Sequence, residues 1–421
     1  MLLTIVLTAV VTITLVVIWL NVRAPVKKLE REVRRCHALT DPQFRREMSV
    51  MLGPTILEGN RVDLLQNGDE IFPAMLDAIR GARDTINFET YIYWSGDTGQ
   101  AFSEALSERA RAGVAVSVLA DWAGSLKMDT ALIDAMRDAG VTFRRFRPLR
   151  WYHVGRLNNR THRKLLIVDG RLGFTGGVGI ADQWRGNAED AAHWRDIHFR
   201  IVGPVVGQLQ AAFNDNWIKT TGTVLHGARY FPELRPEGTL CAQMFLASPS
   251  GGSENMQLMV LTAIAAATVS IDLQAAYFVP DPLTVEALLA ARARDVRIRV
   301  MVPGKHIDAE SVRFASRTHW PRLLDAGVEI FEFRPTMMHN KLLIVDREMV
   351  SVGSTNFDQR SFKLNEEASL NVYDAAFALT MTQVFERDLE RAERYDMERW
   401  RARTWGERLL ETLVRPIQSQ L

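Results

Sequence analysis

One short pattern occurs twice in this chain of 421 residues, and it constrains the possible folds more than any other feature of the sequence. Each copy has a histidine, a lysine two residues later and an aspartate five residues after the lysine, at residues 162–169 and 339–346. Both copies enclose the same Leu-Leu-Ile-Val run, and an apolar, β-branched run followed by a turn is typical of a buried strand. The repeat therefore predicts a duplicated fold in which two matching strands carry the same side chains.

The histidine and the lysine of each copy suit phosphoryl transfer. Residues two apart on a strand point to the same face of the sheet, so we expect each imidazole to stand beside an ammonium group. A phosphodiester needs a nucleophile or proton donor that works near neutral pH, and a cation that stabilises developing negative charge. The aspartate lies an odd number of steps from the histidine, so we expect it to brace the turn. The candidate catalytic residues are His162, Lys164, Asp169, His339, Lys341 and Asp346.

These motifs do not resemble a metal site. A lysine beside the histidine would repel a divalent cation, and neither copy has a cysteine or a second histidine at ligand spacing. The glycines after the first copy, Gly177 and Gly179, lack the third glycine of a dinucleotide-binding fingerprint. We therefore expect neither a metal nor another cofactor. The alternative, a core strand with a chance histidine and lysine, is disfavoured because the pattern and its insert occur twice.

A glycine turn follows each aspartate after six further residues, at 176–179 (Gly-Gly-Val-Gly) and 353–356 (Gly-Ser-Thr-Asn). With two such motifs, the chain resembles the phospholipase D superfamily, and within it the bacterial cardiolipin synthases. The closer resemblance is carried by five stretches, at residues 194–196 (WRD), 203–206 (GPVV), 277–281 (YFVPD), 353–361 (GSTNFDQRS) and 364–367 (LNEE). Together with the motifs, these stretches lie between residues 162 and 367, and we expect the resemblance to extend over most of residues 60–400.

The resemblance implies an α/β fold made of two duplicated phospholipase D-like α/β/α sandwich domains, with halves related by a pseudo-twofold axis. It also implies a phosphatidyltransferase that makes cardiolipin from phosphatidylglycerol and a second phospholipid through a phosphohistidine intermediate. The family suggests His162 as the nucleophile and His339 as the acid that protonates the departing alcohol, an order that the residues alone do not fix. Lys164 and Lys341 would hold the phosphate oxygens together with Asn356.

A histidine in this role needs a carboxylate behind its other ring nitrogen, because the carboxylate fixes the tautomer. In the family such acids follow the motif by a few tens of residues, which points to Asp196 and Glu367. Ser354 completes the supporting set together with Asn356. The first turn departs from the family pattern because Gly179 stands where asparagine is usual. We expect backbone N–H groups of that turn to replace the missing amide.

The rest of the sequence predicts helices and strands that alternate in the same order before each motif. In the first half, helices are predicted at 71–79, 101–112 and 132–139, and strands at 85–93, 114–120 and 141–146. In the second half, helices are predicted at 256–267, 283–294 and 320–326, and strands at 269–275, 296–302 and 328–333. The predicted divisions are a membrane anchor (1–22), a basic juxtamembrane segment (23–60), a first phospholipase D-like domain (61–221), a proline-containing linker (222–239), a second such domain (240–396) and an amphipathic tail (397–421).

The first 22 residues contain no charged side chain and are long enough to span a bilayer. A cleaved signal peptide is the alternative, but no basic segment precedes the apolar run and no A-x-A site ends it. Six lysines and arginines follow within residues 23–35, and the positive-inside rule then places the remainder in the cytoplasm. We therefore expect a single-pass transmembrane helix in the inner (cytoplasmic) membrane, with the catalytic domains in the cytoplasm. The tail has two interpretations, a helix packed on the domain or an interfacial helix on anionic lipid.

Three other functions compete with the transferase. A phospholipase D that releases phosphatidic acid would use the same residues, with water in place of the acceptor alcohol. A phosphodiesterase nuclease would need a basic groove with interleaved aromatic residues, and a net charge of +1 and the predicted anchor argue against it. A non-catalytic binding module is disfavoured because both His-Lys pairs are intact. The expected partners are therefore phospholipids and the membrane, with no nucleic acid.

Overall fold

A computed structural model describes residues 1–22, 33, 37–149, 158–249 and 255–414 of the protein. Within these residues, the helices are α1 (Leu2–Val22), α2 (Pro42–Val50), α3 (Asn67–Gly81), α4 (Asp97–Arg111), α5 (Thr130–Asp138), α6 (Val206–Thr221), α7 (Asn255–Ala266), α8 (Pro282–Arg292), α9 (Glu310–Arg317), α10 (Trp320–Asp325), α11 (Gln359–Lys363), α12 (Ala375–Leu389), α13 (Met397–Arg401) and α14 (Trp405–Val414). A short 3₁₀ helix spans Asp182–Trp184.

The strands are β1 (Leu57–Gln66), β2 (Thr85–Thr90), β3 (Ala115–Asp121), β4 (Thr142–Phe146), β5 (Leu165–Val168), β6 (Leu172–Gly176), β7 (Ile197–Val202), β8 (Leu240–Ala247), β9 (Ser270–Ala275), β10 (Phe278–Val279), β11 (Arg297–Pro303), β12 (Glu329–Phe333), β13 (Lys341–Val345), β14 (Met349–Gly353), β15 (Phe357–Asp358), β16 (Glu367–Tyr373) and β17 (Ala392–Tyr395). β10 and β15 pair with each other as a separate small sheet.

The other strands form one mixed sheet that runs through both halves of the chain. β1 and β8 pair antiparallel near the middle of this sheet and join the halves. Outward from that pair, the first half runs β7, β6, β5, β2, β3 and β4, and the second half runs β16, β14, β13, β9, β11 and β12, with β17 at the outer edge. Each strand of the first half therefore has a counterpart in the second, and the duplicated α/β fold is confirmed.

The motif strands β5 and β13 lie between two apolar layers because their side chains alternate between the faces of the sheet. In β5, Leu166 and Val168 join a cluster with residues of α3, α4 and α5, whereas Leu165 and Ile167 join a cluster with residues of α6 and α12. The apolar residues of β13 alternate in the same way, between a cluster with α7 and α8 and the α6 and α12 cluster. The two halves therefore share one core beneath the motif strands.

Each helix and strand predicted from the alternating pattern is present, with ends displaced by a few residues. The motif strands begin at Leu165 and Lys341, so each motif histidine precedes its strand. The stretch between α6 and β8 is fully described and contains neither helix nor strand, as a linker requires.

The first helix coincides with the predicted anchor, and most of its apolar side chains up to Val16 are exposed, for example Leu3 at 82% and Ile13 at 62%. Across the described ranges, no helix combines the length and the hydropathy of a membrane span. The predicted transmembrane helix is therefore not confirmed. Most of the basic run, at 23–32 and 34–36, lies outside the described residues, as does the end of the tail at 415–421. The described part of the tail forms α13 and α14.

Candidate active site

The backbone of each motif is bonded to the opposite half of the chain. The N–H of His162 donates to the carbonyl oxygen of Glu366 at 2.8 Å, and the N–H of His339 donates to the carbonyl oxygen of Arg195 at 2.7 Å. Glu366 and Arg195 immediately precede the two acids predicted to support the histidines. The main chain thus brings each histidine beside an acid from the other half.

The histidines and their carboxylates form a crossed arrangement. Nδ1 of His162 lies 3.0 Å from both carboxylate oxygens of Glu367, and Nδ1 of His339 lies 2.9 Å from Oδ2 of Asp196. All four side chains are buried. A carboxylate at Nδ1 fixes the tautomer and leaves Nε2 free for chemistry. Each histidine therefore depends on the half of the chain that does not carry it.

Burial sets the charge of both imidazoles. It lowers the pKa of His162 to about 4, and the ammonium groups of Lys164 and Lys341 act in the same direction while Glu367 opposes them. Burial and the same two lysines hold the pKa of His339 well below its usual value. Both imidazoles are therefore neutral near pH 7 when no substrate is bound, as a nitrogen nucleophile must be.

Glu367 is held as a carboxylate by its donors. Burial alone would raise its pKa, but His162 and Lys164 together hold the pKa below the usual value. Oγ of Ser354 donates to Oε2 of Glu367 at 2.5 Å, and Nδ2 of Asn365 donates to Oε1 at 3.2 Å. Ser354 therefore orients the acid that holds His162, and it does so from the second glycine turn.

Asp196 is held by a different set of donors. Nε1 of Trp184 donates to its Oδ2 at 2.8 Å, the same oxygen that faces His339, and the backbone N–H of Ile197 donates to Oδ1 at 2.9 Å. Burial raises the pKa of Asp196 to about 6, against the lowering by Lys341 and by the indole hydrogen bond. Trp184 therefore orients Asp196 by a hydrogen bond, as Ser354 orients Glu367.

The first glycine turn has no space for the side chains of the second. A Cβ on Gly177 would lie 2.1 Å from Oδ1 of Asp196, and a Cβ on Gly179 would lie 2.9 Å from Cβ of Ile92 and 3.1 Å from the ring of Trp184. We expected backbone N–H groups of this turn to replace the missing amide, but the N–H of Gly177 donates to the carbonyl oxygen of Ile197 at 3.2 Å. That expectation is therefore wrong for Gly177, and Ile92 and the tryptophan ring fill the space beside Gly179.

The two lysines are buried beside the carbonyl groups of their own motif histidines. Nζ of Lys164 donates to the carbonyl oxygen of His162 at 2.9 Å, and Nζ of Lys341 donates to that of His339 at 2.7 Å. Burial lowers the pKa of Lys164 to about 7 and that of Lys341 to about 8, although Glu367 opposes both shifts. An anion bound near these two ammonium groups would favour their charged forms, as the phosphate of a substrate would.

One cavity of about 280 Å³ brings the two half-sites together. Among the predicted residues, its lining includes His162, Lys164, His339 and Asn356. Its lining also includes side chains that the motifs do not predict, among them Tyr91, Arg160, Trp184, Trp194, Asp308 and Arg360. Trp194 and Arg360 fall within stretches that carry the family resemblance, which is the signal that identifies them; the others lie outside those stretches.

Asp169 and Asp346 bond to backbone away from the cavity. The carboxylate of Asp169 accepts hydrogen bonds from the N–H groups of Asp84 and Thr85 at 2.7 and 2.9 Å, at the start of β2. The carboxylate of Asp346 accepts from the N–H of Val269 at 2.7 Å and from the next N–H at 2.9 Å, at the start of β9. Each aspartate therefore joins the end of its motif strand to the start of the neighbouring strand.

A family model described as "Cardiolipin synthase, PLD-like domain" matches residues 75–217 and 260–389, one segment in each half. The chain belongs to this cardiolipin synthase family. The resemblance inferred from the two motifs is thereby confirmed.

Curated members of the cardiolipin synthase family are similar over most of the chain. Cardiolipin synthase 2 of Bacillus anthracis is 34% identical over 360 residues, which cover 85% of this chain and 70% of the relative. Cardiolipin synthase A of Pseudomonas fluorescens is 34% identical over 337 residues, which cover 80% of this chain and 70% of the relative. The crystal structure of phosphatidylserine synthase from Haemophilus influenzae matches with a TM-score of 0.67 and 12% identity over 90% of this chain and 100% of that one, a likeness of fold.

In this member of the cardiolipin synthase family, the charged residues next to the two acids hold the halves together. The carboxylate of Glu366 lies 3.1 Å from the guanidinium group of Arg163 and 3.1 Å from Nζ of Lys219. Arg195, at the corresponding place in the first half, lies 2.9 Å from Asp388. Glu366 therefore has a structural ion pair, and its neighbour Glu367 is the acid that holds the motif histidine.

Proposed function

We propose that this protein is a membrane-anchored phosphatidyltransferase of the phospholipase D type, which makes cardiolipin from phosphatidylglycerol and a second phospholipid. The observation that carries the proposal is the crossed pair of histidine–carboxylate contacts at one cavity. One imidazole cannot act as nucleophile and proton donor in the same step, whereas two imidazoles from different halves divide that work. The curated relatives named cardiolipin synthases support the choice of lipid.

The reaction has two steps at one phosphorus atom. In the first step, Nε2 of His162 attacks the phosphorus of phosphatidylglycerol and the bond from phosphorus to the oxygen of the headgroup glycerol breaks. That oxygen takes a proton from the imidazolium of His339, and free glycerol leaves. In the second step, a hydroxyl group of the acceptor lipid gives its proton to His339 and attacks phosphorus, and the P–N bond breaks. Glu367 and Asp196 hold the Nδ1–H groups throughout. The negative charge of the bound phosphodiester favours the protonated form of His339 that the first step requires.

The remaining predicted residues stabilise the phosphate. Lys164 and Lys341 bring positive charge to its non-bridging oxygens, and Asn356 offers an amide from the second turn. These oxygens carry more charge in the transition state than in the bound lipid, so the lysines accelerate the step as well as bind the substrate. Asp169 and Asp346 complete the motif by bracing strands.

The test is a product assay with full-length protein, phosphatidylglycerol in mixed micelles and a metal chelator. We expect cardiolipin from the parent and none from His162→Ala or His339→Ala. His193→Ala is a matched control, because it removes an imidazole bonded to Asp190 on a surface loop, and it should keep the parent rate. Phosphatidic acid as the only product would identify a hydrolase, and cardiolipin from either active-site variant would contradict the assignment of its histidine.

We also propose that α1 anchors the enzyme in the cytoplasmic membrane as a single pass, with residues 61–221 and 240–396 as the two catalytic domains in the cytoplasm. Its lack of charged side chains, its exposed apolar surface and the basic residues after it support this arrangement. Protease added to right-side-out spheroplasts should leave the catalytic domains intact, whereas protease added to inverted membrane vesicles should digest them. Digestion in spheroplasts would contradict the orientation, and recovery of the full chain in the soluble fraction would contradict the anchor.

A further inference from the structure

The last described helix, α14, is turned the opposite way from an ordinary amphipathic helix. Its two carboxylates, Glu407 and Glu411, face the protein, and both form ion pairs with it. Its large apolar side chains face outward, with Trp405 80%, Leu409 49%, Leu410 43% and Leu413 62% exposed. A surface helix normally directs its apolar stripe to the core. These four apolar residues are called the outer face of α14 below.

Ion pairs fix this orientation. A guanidinium nitrogen of Arg403 lies 2.7 Å from the carboxylate of Glu411, and one of Arg317 lies 3.0 Å from that of Glu407. Arg403 also stacks on the ring of Trp400 at 3.6 Å from its centroid. Turning the leucines inward would separate the buried guanidinium group of Arg403 from its carboxylate partner, which is strongly unfavourable. The exposed apolar surface is therefore a built feature of the tail.

The same helix packs on an element that lines the active-site cavity. α9 supplies Arg317 to the ion pair, and it also supplies Ser311 and Val312 to the cavity lining. Val414, at the end of α14, packs against the cluster that contains Val312 and Ala315. One helix, α9, thus has the reactive cavity on one side and α14 on the other.

The charge around the outer face suits an anionic surface. Both carboxylates of α14 are turned inward and paired, whereas Arg408 is exposed beside the leucines. Nη2 of Arg408 donates to the carbonyl oxygen of Arg401, which is also exposed, at 2.7 Å. Tryptophan and leucine on one face with flanking arginine are typical of a helix that lies among the headgroups of anionic phospholipids.

We propose that the outer face of α14 docks on a bilayer that contains anionic phospholipid and so holds the cavity at the membrane surface. The proposal rests on the proposed function, because a phospholipid substrate must pass from the bilayer into the cavity. A second copy of this chain is the other possible occupant. A stable protein interface buries about 800 Å² per partner, however, and a stripe four side chains long on one short helix is better suited to insertion among lipids.

The test compares two substrates for one full-length variant, Leu409→Ser/Leu410→Ser/Leu413→Ser. With vesicles of phosphatidylglycerol, we expect the rate of product formation to fall by about tenfold, because the helix loses apolar contact with the bilayer. With short-chain phosphatidylglycerol below its micelle concentration, no surface is present and the rate should stay near that of the parent. The matched control is Val224→Ser/Val269→Ser/Leu379→Ser, which changes three exposed apolar residues elsewhere and should leave both rates unchanged.

Each other outcome overturns the proposal in its own way. Equal losses with vesicles and with monomeric substrate would show that α14 supports the cavity wall only. Unchanged rates with both substrates would show that no lipid docks there. A change from dimer to monomer by light scattering in the variant, with no vesicle-specific loss, would identify a second copy as the occupant. If the parent forms no product from either substrate, the proposed function fails first, and the binding of the parent and variant to the same vesicles then decides the docking proposal alone.

Discussion

Trp184 takes the place of two side chains that the second half-site has and the first lacks, those of Ser354 and Asn356. Its ring lies where a Cβ on Gly179 would point, and its indole N–H bonds the acid that holds His339. The ring of Trp184 also stands against the imidazole of His339, with 5.4 Å between the ring centroids and an angle of 81°. The sequence shows the missing asparagine, but it does not show which distant residue fills the space.

We predict that Trp184→Phe slows catalysis by about tenfold, because it removes one hydrogen bond to a buried carboxylate and keeps the ring. The indole bond lowers the pKa of Asp196, which is about 6, so its loss should raise that pKa. Asp196 must be ionised to orient His339, so activity is lost as the pH falls through the pKa of Asp196. The acid limb of the kcat profile should therefore move to higher pH.

The matched control for this change is Trp194→Phe, whose ring lies at 5.8 Å from that of His339. It should leave the acid limb where the parent has it. A tenfold loss in Trp184→Phe without any displacement of the limb would show that the residue acts through packing alone.

The alkaline limb should report the two buried lysines. Their pKa values are about 7 for Lys164 and about 8 for Lys341, and each must be protonated to stabilise phosphate. Because kcat/KM reports the free enzyme, we expect it to fall as the pH rises through 7 to 8 with monomeric short-chain phosphatidylglycerol. The alkaline limb of the kcat profile should lie at higher pH than that of kcat/KM, because bound phosphate favours the ammonium forms of both lysines. A kcat/KM that is flat from about pH 7 to 9 would contradict this account.

The two glycine turns show how one structural element was modified differently in the two halves. The second turn has Asn356 together with Ser361, whose Oγ accepts a hydrogen bond from the N–H of Asn356 at 3.2 Å. The corresponding residues of the first turn are Gly179 and Trp184. The pair Gly–Trp thus replaces the pair Asn–Ser, and the glycine leaves room for the tryptophan ring.

We predict that Gly179→Asn destabilises the protein by about 1–3 kcal/mol through overpacking against Ile92 and the tryptophan ring. Trp184→Ser should cost about 3–5 kcal/mol because it leaves a cavity. The double variant restores the Asn–Ser pair and removes the ring from the new side chain, so its loss should be smaller than the sum by about 0.5–3 kcal/mol. Denaturant unfolding of the three variants measures this coupling, and additive losses would show that the two positions do not share one space.

The motif aspartates belong to strand pairing. Asp346 has a φ of 51°, a left-handed conformation that Asn adopts as readily as Asp. We predict that Asp346→Asn lowers the free energy of unfolding by about 2 kcal/mol, because an amide nitrogen replaces an acceptor for backbone N–H groups. The kcat per folded molecule should stay near the parent value below the melting temperature. An unchanged Tm with a lost kcat would show instead that the carboxylate serves the chemistry.

The elements that the sequence predicts are those with strong local patterns. The motif strands and the alternating helices before them follow from runs of apolar residues and from glycine at helix ends. β1, β8, α6 and α12 do not follow from the repeat, because they form the junction between the halves, where long-range packing determines the structure. The family resemblance points to the acids Asp196 and Glu367, but their crossing depends on tertiary structure, and their roles remain predictions.

The halves are joined by charges that fit only one arrangement. Arg163 of the first half meets Glu366 of the second, and Arg195 of the first half meets Asp388 of the second. If two first halves paired with each other, Arg195 would stand where Glu366 stands in the enzyme. Arg163 would then face a second arginine. If two second halves paired with each other, Asn340 would stand where Arg163 stands in the enzyme. The buried carboxylate of Glu366 would then have no guanidinium partner. Unpaired buried charges of this kind are strongly destabilising, so they select the pairing of unlike halves.

We therefore predict that the chain works when it is divided in the linker but that neither piece works alone. The bond between Gly227 and Ala228 is exposed and lies outside any helix or strand, where division of a chain is best tolerated. The fragments 1–227 and 228–421, coexpressed in one cell, should copurify and form cardiolipin at a rate near that of the undivided enzyme. Each fragment alone should be inactive, because its motif histidine lacks the carboxylate of the other half. Activity from one fragment as a homodimer would show that the buried arginines do not determine the pairing, whereas inactive but copurifying fragments would show that the intact linker is needed to position the crossed histidines.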